Sequence, residues 1–595
     1  MDGIPVDGRS GVRHDARHDS GNVGKDDADA GLYLGLDVST QSIKAVVLDA
    51  QGKVYGASST YSTVSFDSEL SMYGTQGGVH RDGTRVTSPS VMFVHGIELL
   101  FDKMRANGFP FDRVRAVSAS GQQHGSVFWT RRGIEAMRQF CGHSHSGENG
   151  ASVNSASTCL YQELQRARAF AVEASPVWMD ASTSAHCDAI EKLAGGADFV
   201  AQLTGSRAYE RYTAPQIMKI AIERPLDYRN TDRIMLISTL IASILIGDYA
   251  SDDVADGSGM LLAEIQSEPM EWSDTMLRCV APDLRTKLCE RPVHSYDIQG
   301  RVNRYFVEKY GFPAGALVSA SSGDNPNSVA GLRLAAGDLV MSLGTSDTVF
   351  GLSHEATPTL VGHVYRSPLA PKQFLPLICY SNGSLTRESV KGTACSWSEF
   401  EALVENDASS PPGNNGILGV FFLVSEIVPR VTHSYDDALF FDYAEASTSP
   451  EPLDPASDRV RSITHAQRCR AVLEYRAIAA AQHMAHLGVT PKRILLTGGG
   501  ARSQVFAQIL ADVLQVEIFT QPEHNSAALG AALRARHALL CHQAGTYIAF
   551  GETVNHLAPT ETCVAKPRRE YADVYNVMKQ AYERIEGSGV LGRPG

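Results

Sequence analysis

Residues 34–49 read LGLDVSTQSIKAVVLD: an apolar run, a turn of small hydroxyl side chains and a second apolar run. Roughly 300 residues later, 339–352 read LVMSLGTSDTVFGL and repeat that plan. β-Branched runs broken by a polar turn predict a strand–turn–strand unit at each place. A turn of Ser, Thr and Gly between buried strands gathers backbone N–H groups and Oγ atoms at one point, which suits the oxygens of a phosphate. One such turn is ordinary β-turn chemistry. Two at matching places predict two homologous halves.

Outward from these units, short strands are predicted at Gly31–Asp37, Ala45–Asp49, Val114–Ser120, Leu317–Ser321, Asp338–Leu343 and Ile494–Leu496. Longer amphipathic stretches such as His465–Leu487 alternate with them, the pattern of an α/β chain. The most continuous apolar run, Ile234–Ile246 (IMLISTLIASILI), falls short of the ~20 residues a membrane helix needs and is expected to be a core helix.

The chain has 595 residues, a length that suggests about four domains at ~150 residues each. The repeated unit reduces that to two large ones divided near Arg333: 31–333 and 334–560, with an acidic disordered tail at 1–30 and an extension at 561–595. Segments 141–157 and 444–458, rich in Ser, Gly, Pro or acid, are expected to be surface insertions. Hydrophobic residues at 43% and charged residues at 20% describe an ordinary soluble protein. The net charge of −13 argues against a duplex nucleic-acid binder or a polybasic membrane binder, and leaves room for a small anionic ligand. Ten cysteines without a C-x-x-C pair read as free thiols in a reducing compartment. With no apolar leader segment, a cytoplasmic protein is expected.

No G-x-x-x-x-G-K-[ST], strand-linked G-x-G-x-x-G, H-E-x-x-H or G-x-S-x-G occurs, so P-loop, Rossmann, zincin and α/β-hydrolase chemistries lose their support. Three strand-end clusters remain. Asp37 precedes Ser39-Thr40-Gln41, where a divalent cation would bridge a carboxylate and a phosphate; otherwise Asp37 caps its turn. Asp324 lies in Ser322-Gly323-Asp324-Asn325-Pro326, a sharp strand-to-helix turn in which it is either a helix N-cap or a general base. Thr497–Ser503 (TGGGARS) puts three glycines at another strand-to-helix junction, a tight turn or a place where a ligand meets backbone.

These clusters resemble one family, the FGGY carbohydrate kinases, and within it the eukaryotic-type xylulose kinases. The resemblance runs from about Leu32 to about His542. It is carried by GLDVSTQSIKAVV (35–47), SASGQQHGSVFW (118–129), PVWMDASTSAHC (176–187), LTGSRAYERYTAPQI (203–217), DGSGMLL (256–262), SSGDNPNSVAGL (321–332), LVMSLGTSDTVF (339–350), CYSNGSLTRE (379–388), SWSEF (396–400) and TGGGARSQVFAQILADV (497–513).

The resemblance implies two ribonuclease-H-like, actin/hexokinase-type α/β domains with a catalytic cleft between them. It implies ATP and Mg²⁺ as cofactors, D-xylulose as substrate and no nucleic-acid or membrane partner. By position, Asp324 resembles the catalytic base, and His124, Arg211, Asp324 and Asn325 the ketose-binding set. Asp37 resembles the Mg²⁺ region and Ser39, Thr40 and Gln41 the first phosphate loop. Gly344, Thr345 and Ser346 resemble the second, and Trp397, Gly499, Gly500 and Ser503 fall where the family holds adenosine. His and Arg are both expected to donate hydrogen bonds to sugar oxygens. One departure stands out: relatives carry an amide side chain in the adenosine loop where this chain has Ser503. Another ketose or polyol, such as ribulose or 1-deoxy-xylulose, and a catalytically silent sugar sensor are the competing expectations.

Overall fold

In the computed structural model, β1 (Leu32–Val38) and β2 (Ser42–Leu48) pair antiparallel with Val38 opposite Ile43, so the expected turn closes at Ser39–Gln41. The structure describes residues 31–593 except 57, 143–158, 444–449, 522–524 and 558–560. The tail 1–30, most of the insertion at 141–157 and the first part of that at 444–458 lie outside the described residues.

Around β1 and β2 a seven-stranded sheet assembles with β3 (Ser62–Ser65), β4 (Val114–Gly121), β5 (Ile298–Arg301), β6 (Leu317–Ser319) and β7 (Ser322–Gly323). Its order is β5-β6-β4-β1-β2-β3, with β7 also pairing β4. β1, β2 and β3 run antiparallel, whereas β1, β4 and β6 run parallel.

The second sheet repeats that plan with β8 (Asp338–Leu343), β9 (Asp347–Gly351), β10 (His363–Arg366), β11 (Phe374–Tyr380), β12 (Arg493–Thr497), β13 (Glu517–Thr520) and β14 (Thr562–Ala565). Its order, β10-β11-β9-β8-β12-β13-β14, has the same antiparallel triple β8-β9-β11 and parallel triple β8-β12-β13. Two sheets of matching topology are the two-domain architecture that the repeated unit predicts.

Every residue of β1 is buried, because helices cover both faces of the first sheet. One cover is α1 (Ile237–Ile246), buried along its whole length. The expected core helix Ile234–Ile246 is therefore corrected: Ile234–Leu236 end a strand, Thr231–Leu236, and only the remainder is helical. Both pieces are buried all round, so apolar content could not separate them.

The chain does not complete one lobe before starting the next. α2 (Asp324–Gly331) leaves the first sheet, and the second sheet follows with its helices α3 (His465–His486) and α4 (Gln504–Leu514). Then α5 (Ser526–Ala544) returns to lie across β1, β4 and α2. A Cβ on Gly35 would sit 2.1 Å from the Ala528 carbonyl oxygen, so only glycine lets this helix approach β1. The buried Arg534 fixes α5 there, donating to Asn327 Oδ1 at 2.8 Å and to the carbonyls of Ser295 and Ala320. Finally β14 and α6 (Ala572–Gly587) go back to the second lobe, where α6 packs on α3 and α4.

Candidate active site

The first sheet brings three strand ends together. Asp37 on β1 is in register with Ser120 on β4, which pairs on its other side with Ser322 of β7, and α2 begins at Asp324 directly beyond. This is the carboxyl edge of the parallel strands, where α/β sheets place their ligands. A Cβ on Gly323 would lie 2.4 Å from Gln123 Cγ and 2.7 Å from Asp256 Oδ1, so the turn into α2 requires glycine.

Asp324 is not the N-cap of α2: Gly323 holds that position and offers no side chain. Asp324 is the first helical residue, half-buried against the cleft, with Oδ1 accepting the Asn325 N–H at 2.9 Å. Burial and then the charge of Asp37 push its carboxyl up to about 7, against the pull of nearby backbone N–H groups. Burial also raises Asp37, which is 7% exposed, while Lys44 opposite it on β2 draws it down. Asp37 Oδ1 is buried and has no hydrogen-bond partner.

A cavity of about 650 Å³ opens beside Asp324, between the lobes. It brings His124, Arg211 and Asn325 together with Asp324 on its lining, and Ser346 and Thr348 of the second lobe lie on the same cavity. Asn325 Nδ2 donates to Gln123 Oε1 at 2.7 Å, which fixes the amide beside Asp324. His124 has a left-handed backbone, φ +67, rare for a residue with a side chain and concentrated at functional sites.

The surroundings of His124 set its protonation and tautomer. Burial and the Arg211 charge push its pKa down to about 3, so the ring is neutral. Nδ1 lies 3.1 Å from the Gly259 carbonyl, an acceptor, and therefore carries the ring proton. Nε2 is left as an acceptor, and Arg211, a permanent donor, supplies the complementary partner.

The two small-hydroxyl turns differ. In the first, Ser39 Oγ is taken up by the Ser42 carbonyl at 2.9 Å, Thr40 Oγ1 accepts the Trp178 indole N–H at 3.0 Å, and Gln41 is exposed. In the second, Gly344-Thr345-Ser346 is partly open, tied by the Ser384 N–H to the Gly344 carbonyl at 2.9 Å. Directly after it, the fully buried Asp347 receives two bonds from Arg387, at 2.6 and 2.9 Å.

Among the three glycines of the β12–α4 turn, only one faces open space. Gly498 has φ +80 and Gly500 would press a Cβ to 2.7 Å from that of Leu343, whereas a Cβ on Gly499 meets nothing within 4 Å. Ser503 caps α4, accepting the Phe506 N–H at 3.2 Å, so its hydroxyl serves the helix. Trp397 opens the helix Trp397–Asn406 at 46% exposure, with the Lys391 ammonium 5.5 Å above its ring. That helix packs on α4, which follows the glycine turn, and neither Trp397 nor the glycines line the cavity beside Asp324.

Among the described residues no three His, Cys, Asp or Glu side chains converge as a metal cage. Mg²⁺ does not need one, since it is commonly held by one or two carboxylates, waters and substrate phosphates. The unpartnered Oδ1 of Asp37 beside the Ser39–Gln41 turn fits that donor set.

Sequence reasoning gave no role to several side chains of the cavity. Gln123, Trp178 and Tyr209 all stood inside the quoted motifs, as did the buried Tyr212 behind the cavity wall and Arg387 beneath the second turn. His363, 2.7 Å from Arg211, carried no signal: it lies on an edge strand of the other lobe. All ten cysteines are free; five are buried and Cys563 is exposed. No helix of the described residues is long and apolar enough to cross a membrane.

Residues 171–331 match the model for the N-terminal domain of the FGGY family of carbohydrate kinases, and residues 339–539 the model for its C-terminal domain. The chain is 39% identical over 562 residues to the xylulose kinase of Rattus norvegicus, covering 93% of this chain and 96% of that one. It is 38% identical over 529 residues to xylulose kinase 2 of Arabidopsis thaliana, covering 87% and 89%. Its fold matches the crystal structure of ligand-bound xylulose kinase from Lactobacillus acidophilus with a TM-score of 0.71 at 16% identity, over 94% of this chain and 98% of that one.

Proposed function

The chain belongs to the FGGY family of carbohydrate kinases, and on that premise we propose that it transfers the γ-phosphoryl group of ATP to D-xylulose, giving D-xylulose 5-phosphate and ADP. The observation that carries the mechanism is Asp324: a carboxyl raised to about 7, at the edge of a 650 Å³ interdomain cavity also lined by His124, Arg211 and Asn325. Asp324 accepts the proton of the sugar's terminal hydroxyl, that oxygen forms its bond to the γ-phosphorus, and the bond from γ-phosphorus to the bridging oxygen breaks to release ADP. Its raised pKa matches the task, because a base works best when its pKa lies near the operating pH.

Arg211 donates to sugar oxygens, the free ring nitrogen of His124 accepts from a sugar hydroxyl, and Asn325 flanks the base. The Gly344–Ser346 turn grips the transferring phosphates through backbone N–H groups and hydroxyls. Asp37 would hold Mg²⁺, which supplies charge neutralisation to the triphosphate when bound. Trp397 and Gly499 offer a ring and an open stretch of backbone to adenosine. The ten free thiols suit a reducing compartment and support a cytoplasmic site of action.

ADP release measured across D-xylulose, ribulose, 1-deoxy-xylulose and glycerol, with MgATP, tests the substrate. The highest kcat/KM is expected for D-xylulose. A higher value for another polyol would overturn the choice of sugar, and xylulose binding without turnover would replace the kinase with a sensor.

A further inference from the structure

We infer that His363, on the edge strand β10 of the second lobe, is a positioning residue of the sugar site, holding the Arg211 guanidinium in the pose that grips the ketose. This rests on the proposed role of Arg211.

Arg211 Nη2 lies 2.7 Å from His363 Nε2. A guanidinium only donates, so Nε2 is the lone-pair nitrogen and the proton of the neutral ring sits on Nδ1. Nδ1 faces Tyr212 Oη at 2.7 Å and Ser206 Oγ at 2.9 Å. Ser206 sends its own proton to the Arg207 carbonyl at 2.8 Å, which leaves its oxygen free to accept. Tyr212 Oη in turn meets Tyr365 Oη, two residues along β10 from His363, at 2.7 Å. His363, Tyr212 and Tyr365 are each 0% exposed, so the ring has no room to turn. Burial and the Arg211 charge hold His363 well below the usual histidine range, which keeps Nε2 an acceptor.

A neutral acceptor has a specific advantage here. A carboxylate would neutralise Arg211 as it held it, whereas an imidazole orients the guanidinium and leaves its charge and other N–H groups for the substrate. Arg211 also lies over the Tyr209 and Tyr212 rings, at 5.3 and 5.7 Å from their centroids.

The strand bearing His363 is riveted to the first lobe. Val364 N–H donates to the Gly205 carbonyl at 2.8 Å, and Arg366 N–H to Ser258 Oγ at 3.0 Å. The Arg366 guanidinium donates to the carbonyls of Ile265 and Ser267. A Cβ on Gly205 would fall 2.0 Å from the Val364 carbonyl oxygen, so the contact depends on that glycine. The sugar grip is thus built from both lobes, and the second lobe does more than hold the nucleotide.

Glutamine can place an amide oxygen near the Nε2 position, whereas the shorter asparagine reaches only the Nδ1 side. His363→Asn is expected to raise the KM for xylulose about tenfold, with kcat and the KM for ATP within about twofold, the size of one lost hydrogen bond to a charged group. His363→Gln should recover the xylulose KM to within about threefold of the native value. Equal KM values in the two variants would overturn the inference. So would an unchanged KM in His363→Asn where Arg211→Ala raises it, a result that condemns His363 and spares Arg211. An unchanged KM in Arg211→Ala would remove the reading of Arg211 and this inference with it. If the variants do not fold, histidine ¹⁵N NMR of the native chain decides: a neutral His363 ring protonated on Nδ1 supports the inference, and one protonated on Nε2 overturns it.

Discussion

The indole N–H of Trp178 donates to Oγ1 of Thr40 at 3.0 Å, so a wall of the sugar cavity and the first phosphate turn are joined through one hydrogen bond. Trp178→Phe keeps an aromatic wall and removes that donor, leaving Thr40 with a long 3.5 Å contact to Gln122. A loss of about 1 kcal/mol is expected, seen as a roughly fivefold fall in kcat/KM for ATP. Steady-state kinetics with ATP varied at saturating xylulose measure it, and a thermal shift with xylulose alone should stay close to native.

Beneath the second turn, Asp347 is completely buried and held by the two bonds from Arg387. Arg476 stands 3.5 Å from the same carboxylate without a hydrogen bond to it. Arg387→Met leaves a buried carboxylate short of its main partner, which costs on the order of 3–5 kcal/mol. The expected result is a melting temperature several degrees lower, with the second lobe unfolding first by hydrogen exchange.

The three glycines at 498–500 should separate structure from ligand contact. Gly498→Ala and Gly500→Ala force a Cβ against Leu343 and should lower stability. Gly499→Ala meets open space, so its melt should match the native chain while the KM for ATP rises at least severalfold. Melts and ATP kinetics of the three variants check this together.

Asp324 carries its proton to about pH 7 in the folded chain, while an unfolded aspartate loses it near ~3.9. Between those values the unfolded chain binds fewer protons than the folded one, so stability falls as pH rises. The contribution is complete below about pH 4 and gone above about pH 7, at most about 4 kcal/mol for this shift. Without substrate or metal, the stability of Asp324→Asn relative to native should therefore grow from pH 4 to pH 7 and then level. Denaturant titrations across that range measure the difference, and a pH-independent difference would contradict a raised Asp324.

The repeated turn at 39–41 and 344–346 was legible because small hydroxyl residues between apolar runs leave a local signature, and with it came the expectation of two matching halves; the order of the strands in each sheet did not follow from it. Asp324 was legible for the same reason, its turn being marked by Gly323 and Pro326. Other features depend on contacts between distant residues. The return of α5 to the first sheet rests on backbone approach at Gly35 and on Arg534 reaching Asn327, across some 200 residues or more of chain. The tautomer of His124 is set by the Gly259 carbonyl, and the orientation of Arg211 by His363, 152 residues away. The cap that Ser503 gives α4 was not foreseen, because it depends on where the helix begins and so on the Phe506 N–H lying against its hydroxyl.

If Asp324 takes the proton from the sugar, the pH dependence of kcat/KM for D-xylulose follows its titration. For the native chain kcat/KM should climb about tenfold per pH unit on the acid side and level near pH 7, where the carboxylate forms. Asp324→Asn should lose that limb and about 10²–10⁴ of the plateau rate. Native rate and profile in Asp324→Asn would contradict a role for Asp324 as the base.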